Sequence, residues 1–171
     1  VIGIGGNNTA EIIHTLAEDD LSGFAAILSA SPYYSKPSQQ GIYEHYKTIG
    51  EHAPLPVILY NVPGRTSSNI SAETTLRLAN EVEKIAGIKE ASGNMVQCMH
   101  ILEKRPAGFL FVSGDDHITL PLIACGADGV ISVVGNCFPK EFGDLVRKAL
   151  AYDFVNAQKL QNKLLRALDL L

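Results

Sequence analysis

The chain has 171 residues, 46% apolar and 19% charged, with a net charge of -4, which reads as one globular domain with a sizeable core rather than a disordered segment. No basic run is present, so nucleic acid and anionic membrane, which need clustered Lys and Arg, are excluded as expected partners and small molecules are favoured. No apolar run approaches the ~18 residues of a spanning helix, and no charged, then apolar, then small-residue leader opens the chain, so a cytoplasmic location is the expectation.

In chain order, short runs rich in Val, Ile, Leu and Phe alternate with longer segments of helical period, the mark of repeated βα units around a parallel sheet. The predicted strands are Val1-Ile4, Phe24-Ser29, Pro56-Tyr60, Ile85-Ile88, Phe109-Val112 and Gly129-Ser132. Between them Ala10-Ala17, Ile42-Glu51, Ala72-Val82, Met95-Glu103, Ile118-Cys125 and Lys140-Ala149 place apolar residues three and four apart, and an amphipathic Val155-Leu170 follows. Asn8 with Glu11 three residues on, Ser71, and Asp115 or Asp116 are expected to cap helix starts. Six units without a reversal of pattern or a linker favour most of a (β/α)8 barrel over an open doubly wound sheet. Two units would then be missing, and because the chain opens on what looks like mid-strand, it is expected to be a piece of a longer protein.

Several motifs have a plain explanation. Gly3-Ile4-Gly5-Gly6-Asn7-Asn8 has the look of a dinucleotide turn, but Asn8 replaces the last glycine of that pattern, leaving a tight strand-to-helix turn. Gly114-Asp115-Asp116-His117 carries ligand-type side chains, yet adjacent turn residues cannot all face one ion, so no metal is expected. The same acidic loop would repel a phosphate group, which favours a non-phosphorylated substrate. Cys98, Cys125 and Cys137 are odd in number and lack C-x-x-C spacing, so they are read as small buried apolar residues rather than a disulfide framework or a zinc site.

Chemistry concentrates elsewhere. Lys89 ends an apolar run and is followed by small and turn-forming residues, so its amine is expected at the mouth of the sheet. Burial of an ammonium is costly and lowers its pKa toward a neutral nucleophile, so a lysine at a buried strand end is favoured where its amine is used. Tyr60 ends the preceding strand and Arg65 lies in the loop beyond it. Consecutive parallel strands usually lie side by side, at roughly 4.8 Å, so Tyr60 and Lys89 are expected at one rim, with the Arg65 fork available for a carboxylate. Taken singly, Tyr60 reads as a core-edge residue and Arg65 as a solvated one. Tyr33 and Tyr34 lie in a proline-stiffened loop whose aromatics suit an oligomer contact.

Tyr60-Asn61-Val62-Pro63-Gly64-Arg65-Thr66 and Gly87-Ile88-Lys89-Glu90-Ala91-Ser92-Gly93, together with Ser31-Pro32-Tyr33-Tyr34, Lys36-Pro37-Ser38-Gln39, Gly114-Asp115-Asp116 and Gly129-Val130-Ile131-Ser132, resemble the dihydrodipicolinate synthase family of Schiff-base aldolases over essentially the whole chain. The resemblance implies a partial (β/α)8 TIM barrel over 1-171, holding strands 3 to 8. It also implies a synthase for lysine and diaminopimelate biosynthesis that condenses pyruvate, held as an imine on Lys89, with aspartate semialdehyde. In that family pattern Tyr60 relays protons, Tyr34 enters the neighbouring subunit's site, Arg65 receives the semialdehyde carboxylate, and Gly114 and Ile131 line the pocket. No cofactor is implied; a homo-oligomer, a dimer of dimers, is. Ser35 stands where Asn is common, and the Gly-Thr-Thr-Gly loop that links the two tyrosines has no counterpart in the chain. The alternatives are a sibling lyase of the N-acetylneuraminate type, or an inactive barrel fragment serving as a binding scaffold.

Overall fold

The computed structural model describes residues 1–170. Six strands, β1 (Ile2–Gly3), β2 (Ile27–Ala30), β3 (Val57–Asn61), β4 (Ile85–Glu90), β5 (Leu110–Ser113) and β6 (Gly129–Val130), pair in parallel and in sequence order. The helices are α1 (Thr9–Glu18), α2 (Gln39–His52), the single turn α3 (Pro63–Thr66), α4 (Ala72–Glu81), α5 (Met95–Lys104), α6 (Thr119–Ala124), α7 (Pro139–Leu150) and α8 (Phe154–Leu168). The result is a half-barrel, an arc of parallel strands with its helices covering one face, as the six-unit pattern predicts.

The alternation of side chains along each strand separates two environments. Ser29, Leu59, Ile88 and Phe111 form one cross-strand row, fully buried. It lies in the layer packed against Ile42, Ile49, Leu78, Cys98 and Ile101 of the helices. The next row, Ala30, Tyr60, Lys89 and Val112, faces the opposite, concave side. Leu110 shares that side and is 37% exposed, which is unusual for leucine within a sheet. Gly87 lets β4 and β5 approach closely, since a β carbon there would meet the Leu110 carbonyl oxygen at 2.6 Å.

Local chemistry sets the element boundaries. Asn8 accepts the Ala10 amide and Ser71 the Thr74 amide, both at 3.1 Å, so these two caps form as expected. The aspartates before α6 do not cap it. Asp115 takes the His117 amide at 3.0 Å in a local turn, while Asp116 reaches across to the amides of Val133 and Val134. Those two amides open a 3-10 turn over Val134–Asn136, whose orphan donors outcompete the start of a six-residue helix. The cysteine reading also needs correction: Cys98 is buried, but Cys125 and Cys137 are exposed. Both lie at helix or turn ends, where the chain leaves the core.

His45 joins α2 to α1 through its Nδ1, 2.7 Å from Thr9 Oγ1, and its ring meets Tyr46 edge-on. It is 6% exposed and its Nε2 is buried without a partner among the described residues. Burial therefore pushes its pKa down from 6.5 to about 4. The unfolded chain takes up this proton first, so the contribution is fully present above pH 6.5 and is lost as pH falls through about 4. Chemical denaturation at several pH values is expected to show His45→Gln losing on the order of 2 kcal/mol less than the parent across that window.

Candidate active site

Strand register fixes the centre of the site. Lys89 on β4 is the direct partner of Tyr60 on β3, and the lysine Nζ lies 4.2 Å from the centroid of the tyrosine ring. Lys89 is 8% exposed. On its other side the chain passes at Gly114, where a β carbon would stand 2.9 Å from Lys89 Cε and 3.0 Å from Cγ. Glycine at 114 is thus what lets the β5 loop close against the lysine stem. Burial lowers the Lys89 pKa below its ordinary 10.5, an effect partly opposed by the negative charge of Asp116. Burial likewise raises the Tyr60 pKa, with Arg65 pulling the other way, so the phenol holds its proton at neutral pH.

A cavity of about 460 Å³ opens beside this pair, lined by Tyr60, Arg65, Gly114, Asp115, Asp116 and His117 among others. Val133 and Leu168 add apolar wall from distant parts of the chain. Arg65 is carried by α3, a turn started by Pro63 and ended by Ser67 in left-handed geometry, φ 56°. Its guanidinium is exposed and belongs to none of the ion pairs found among the described residues. The cavity lining therefore holds a cation that is in no ion pair among the described residues, together with the carboxylates of Asp115 and Asp116.

The loop holding Arg65 is anchored from the opposite face of the sheet. Asn61 and Glu90 are the next register pair after Tyr60 and Lys89, both fully buried and directed into the helix layer. Asn61 Nδ2 donates to Glu90 Oε2 at 2.9 Å and to Asn69 Oδ1 at 2.9 Å, while its Oδ1 accepts the Ile70 amide at 2.9 Å. Glu90 also accepts from Gln97 Nε2 at 3.0 Å and from the Ser92 amide at 2.6 Å. Glu90 is therefore satisfied by its own donors, and its charge is not the partner of Lys89, which points the other way.

The structure brings together Lys89, Tyr60, Arg65 and Gly114, as the sequence predicts. Two other predicted residues stand apart. Ile131, just past β6, is half-buried, donates its amide to the Ser113 carbonyl at 2.9 Å and does not line the cavity. Tyr34 is 90% exposed, with φ 68° and its amide on the Thr66 carbonyl at 3.0 Å, so it projects outward from the loop next to α3. Asp116 lines the cavity but carries no sequence signal of doing so, because an aspartate before a helix is accounted for as a cap. Asn61 and Glu90 are not singled out either, although their position one residue beyond Tyr60 and Lys89 places them on the opposite face by strand parity.

Among the described residues no group of three or more His, Cys, Asp or Glu is arranged to hold a metal ion, and no helix is long and apolar enough to cross a membrane. The sequence model of the Dihydrodipicolinate synthetase family matches residues 1–171. The chain is 52% identical to the 4-hydroxy-tetrahydrodipicolinate synthase of Flavobacterium psychrophilum and 53% identical to that of Phocaeicola vulgatus. Each match covers 100% of this chain and 58% of the relative, so the chain spans a little over half the length of these relatives. The solved structure of dihydrodipicolinate synthase from Aquifex aeolicus superposes with a TM-score of 0.93 at 41% identity, over 98% of this chain and 57% of that one. From the paired Tyr60 and Lys89 signatures through the half-barrel to these likenesses, sequence and structure agree: the chain belongs to the dihydrodipicolinate synthetase family.

Proposed function

We propose that the full protein condenses pyruvate with aspartate semialdehyde, giving 4-hydroxy-tetrahydrodipicolinate for lysine and diaminopimelate biosynthesis, and that Lys89 carries the pyruvate. The observation that supports this most is the buried Lys89, whose amine lies over the Tyr60 ring and whose stem packs on Gly114, two residues that line the cavity. A neutral amine is the form that attacks a ketone, and burial increases its share. The amine nitrogen bonds to the pyruvate ketone carbon. The carbonyl oxygen then leaves as water, taking one hydrogen from the nitrogen and one supplied proton, and Tyr60, protonated at neutral pH, is suited to deliver that proton. The cationic imine withdraws electrons, a methyl proton departs, and a neutral enamine forms whose terminal carbon attacks the semialdehyde's carbonyl carbon. The aldehyde oxygen takes a proton to become the hydroxyl. The substrate amine, after losing a proton, displaces the lysine nitrogen from the re-formed imine carbon, which closes the ring and frees Lys89.

Arg65 would receive the carboxylate of the semialdehyde, since a guanidinium binds carboxylates through two parallel hydrogen bonds. Tyr34, exposed on its loop, would complete the proton relay in a neighbouring subunit of a dimer of dimers, and Ile131 would contribute through its backbone. The protein would act in the cytoplasm with no cofactor. Full-length protein supplied with pyruvate and aspartate semialdehyde is expected to consume both in equal amounts. Turnover with pyruvate and N-acetylmannosamine instead would turn the assignment to the sibling lyase.

A further inference from the structure

We propose that Asp116 is a specificity-determining residue that binds the ammonium group of the second substrate, so that the cavity selects a zwitterionic amino-aldehyde over one bearing only a carboxylate; this rests on the Lys89 enamine reading above. Asp116 is 7% exposed and lines the cavity with Arg65 and Tyr60. Its Oδ2 is committed, accepting the Val133 amide at 3.0 Å and the Val134 amide at 2.8 Å. Its Oδ1 is buried and has no hydrogen-bond partner among the described residues. A buried carboxylate oxygen without a donor is costly, so a cation or donor within the cavity is favoured there.

The other nearby carboxylates are already engaged. Glu90 faces the helix layer and takes donors from Asn61, Gln97 and the Ser92 amide. Asp115 is half-exposed, binds the His117 amide and lies 3.7 Å from the imidazole Nδ1, while His117 Nε2 is 3.2 Å from Asp169. In the resting site the negative charge of Asp116 partly offsets the effect of burial on the Lys89 amine, but the two make no ion pair among the described residues. The enamine nitrogen is neutral. Once pyruvate is converted to the enamine, the lysine nitrogen no longer carries the positive charge that interacts with Asp116, while the Asp116 Oδ1 still lacks a hydrogen-bond partner among the described residues. An incoming ammonium supplies that charge, while Arg65, which also lines the cavity, takes the carboxylate.

The test compares aspartate semialdehyde with succinate semialdehyde, which has the same carbon chain, aldehyde and carboxylate but no amine. In full-length protein with saturating pyruvate, Asp116→Asn is expected to lower kcat/KM for aspartate semialdehyde by about thirtyfold or more, while the inhibition constant of succinate semialdehyde moves less than threefold. Asp116→Glu, which keeps the charge, should retain most of the preference for the amino compound even where turnover is slower. Active sites are counted by borohydride trapping of pyruvate and kcat/KM is expressed per trapped site, so that neither quantity depends on how much of a variant is folded. Equal loss of both compounds in Asp116→Asn, or loss of neither, would overturn the proposal and leave Asp116 as a brace for the turn at Val133. Borohydride trapping of pyruvate, run alongside, separates the two levels: a parent enzyme that traps none has lost the enamine reading itself, whereas trapping with no change of preference removes only the ammonium role.

Discussion

Lys89→Met is expected to cost at least about a hundredfold in turnover and yet to raise stability by ~1 kcal/mol, read as an upward shift of Tm in a thermal melt. The two effects share one cause. A lysine 8% exposed near the end of β4 holds its amine where the charged form is disfavoured, and the contact with the Tyr60 ring face recovers only part of that cost. Methionine fills a similar volume with no charge to desolvate, but it cannot form an imine. Lys89→Arg separates charge from nucleophilicity: it keeps the cation, and turnover should fall by a comparable factor because a guanidinium stays protonated. Unchanged turnover in either variant would place the chemistry elsewhere.

The second large effect belongs to a residue that never meets substrate. Asn61→Ala is expected to destabilise the protein by about 3 kcal/mol in a denaturant titration. The change removes one donor from the buried Glu90 carboxylate and leaves the Ile70 amide without its acceptor. Asn61 also ties Asn69 to the sheet, and the segment from Val62 to Ile70 carries Arg65. The same variant should therefore raise KM for the semialdehyde more than KM for pyruvate. A variant that loses less than about 1 kcal/mol would show that Gln97 and the Ser92 amide suffice for Glu90.

The half-barrel was legible because its signals are local. Each strand is a short apolar run, each helix has the 3.6-residue period, and the joining rule for parallel strands places β3 beside β4, which brings Tyr60 to Lys89. Element boundaries depend on neighbours as well as on local signals. The run Phe24-Ser29 predicts a strand too early, because Ala26 belongs to the approach to β2, which pairs only from Ile27 to Ala30. The predicted strand Ile85-Ile88 stops short of Lys89 and Glu90, yet both pair within β4, since hydrogen bonding to β3 and β5 outweighs the weak strand preference of charged residues.

The unread parts of the site depend on long-range contacts. Leu168 and Val133 reach the cavity from segments 79 and 44 positions beyond Lys89, and neither carries a local mark of doing so. Asp116 is hidden for a related reason. An aspartate before a helix usually explains itself as a cap, and only the position of the Val133 and Val134 amides shows that its carboxylate turns away. The αL residues Tyr34 and Ser67 have no glycine to announce them; the Tyr34 amide is held by the Thr66 carbonyl and the Ser67 amide by the Pro63 carbonyl.

The most direct test of the central claim is to treat the full-length protein with pyruvate and borohydride, digest it, and locate the added mass. The account predicts one reduced pyruvate adduct per chain, on the peptide containing Lys89, and none when pyruvate is omitted. An adduct on another lysine, or protein left unmodified while turnover proceeds, would contradict it.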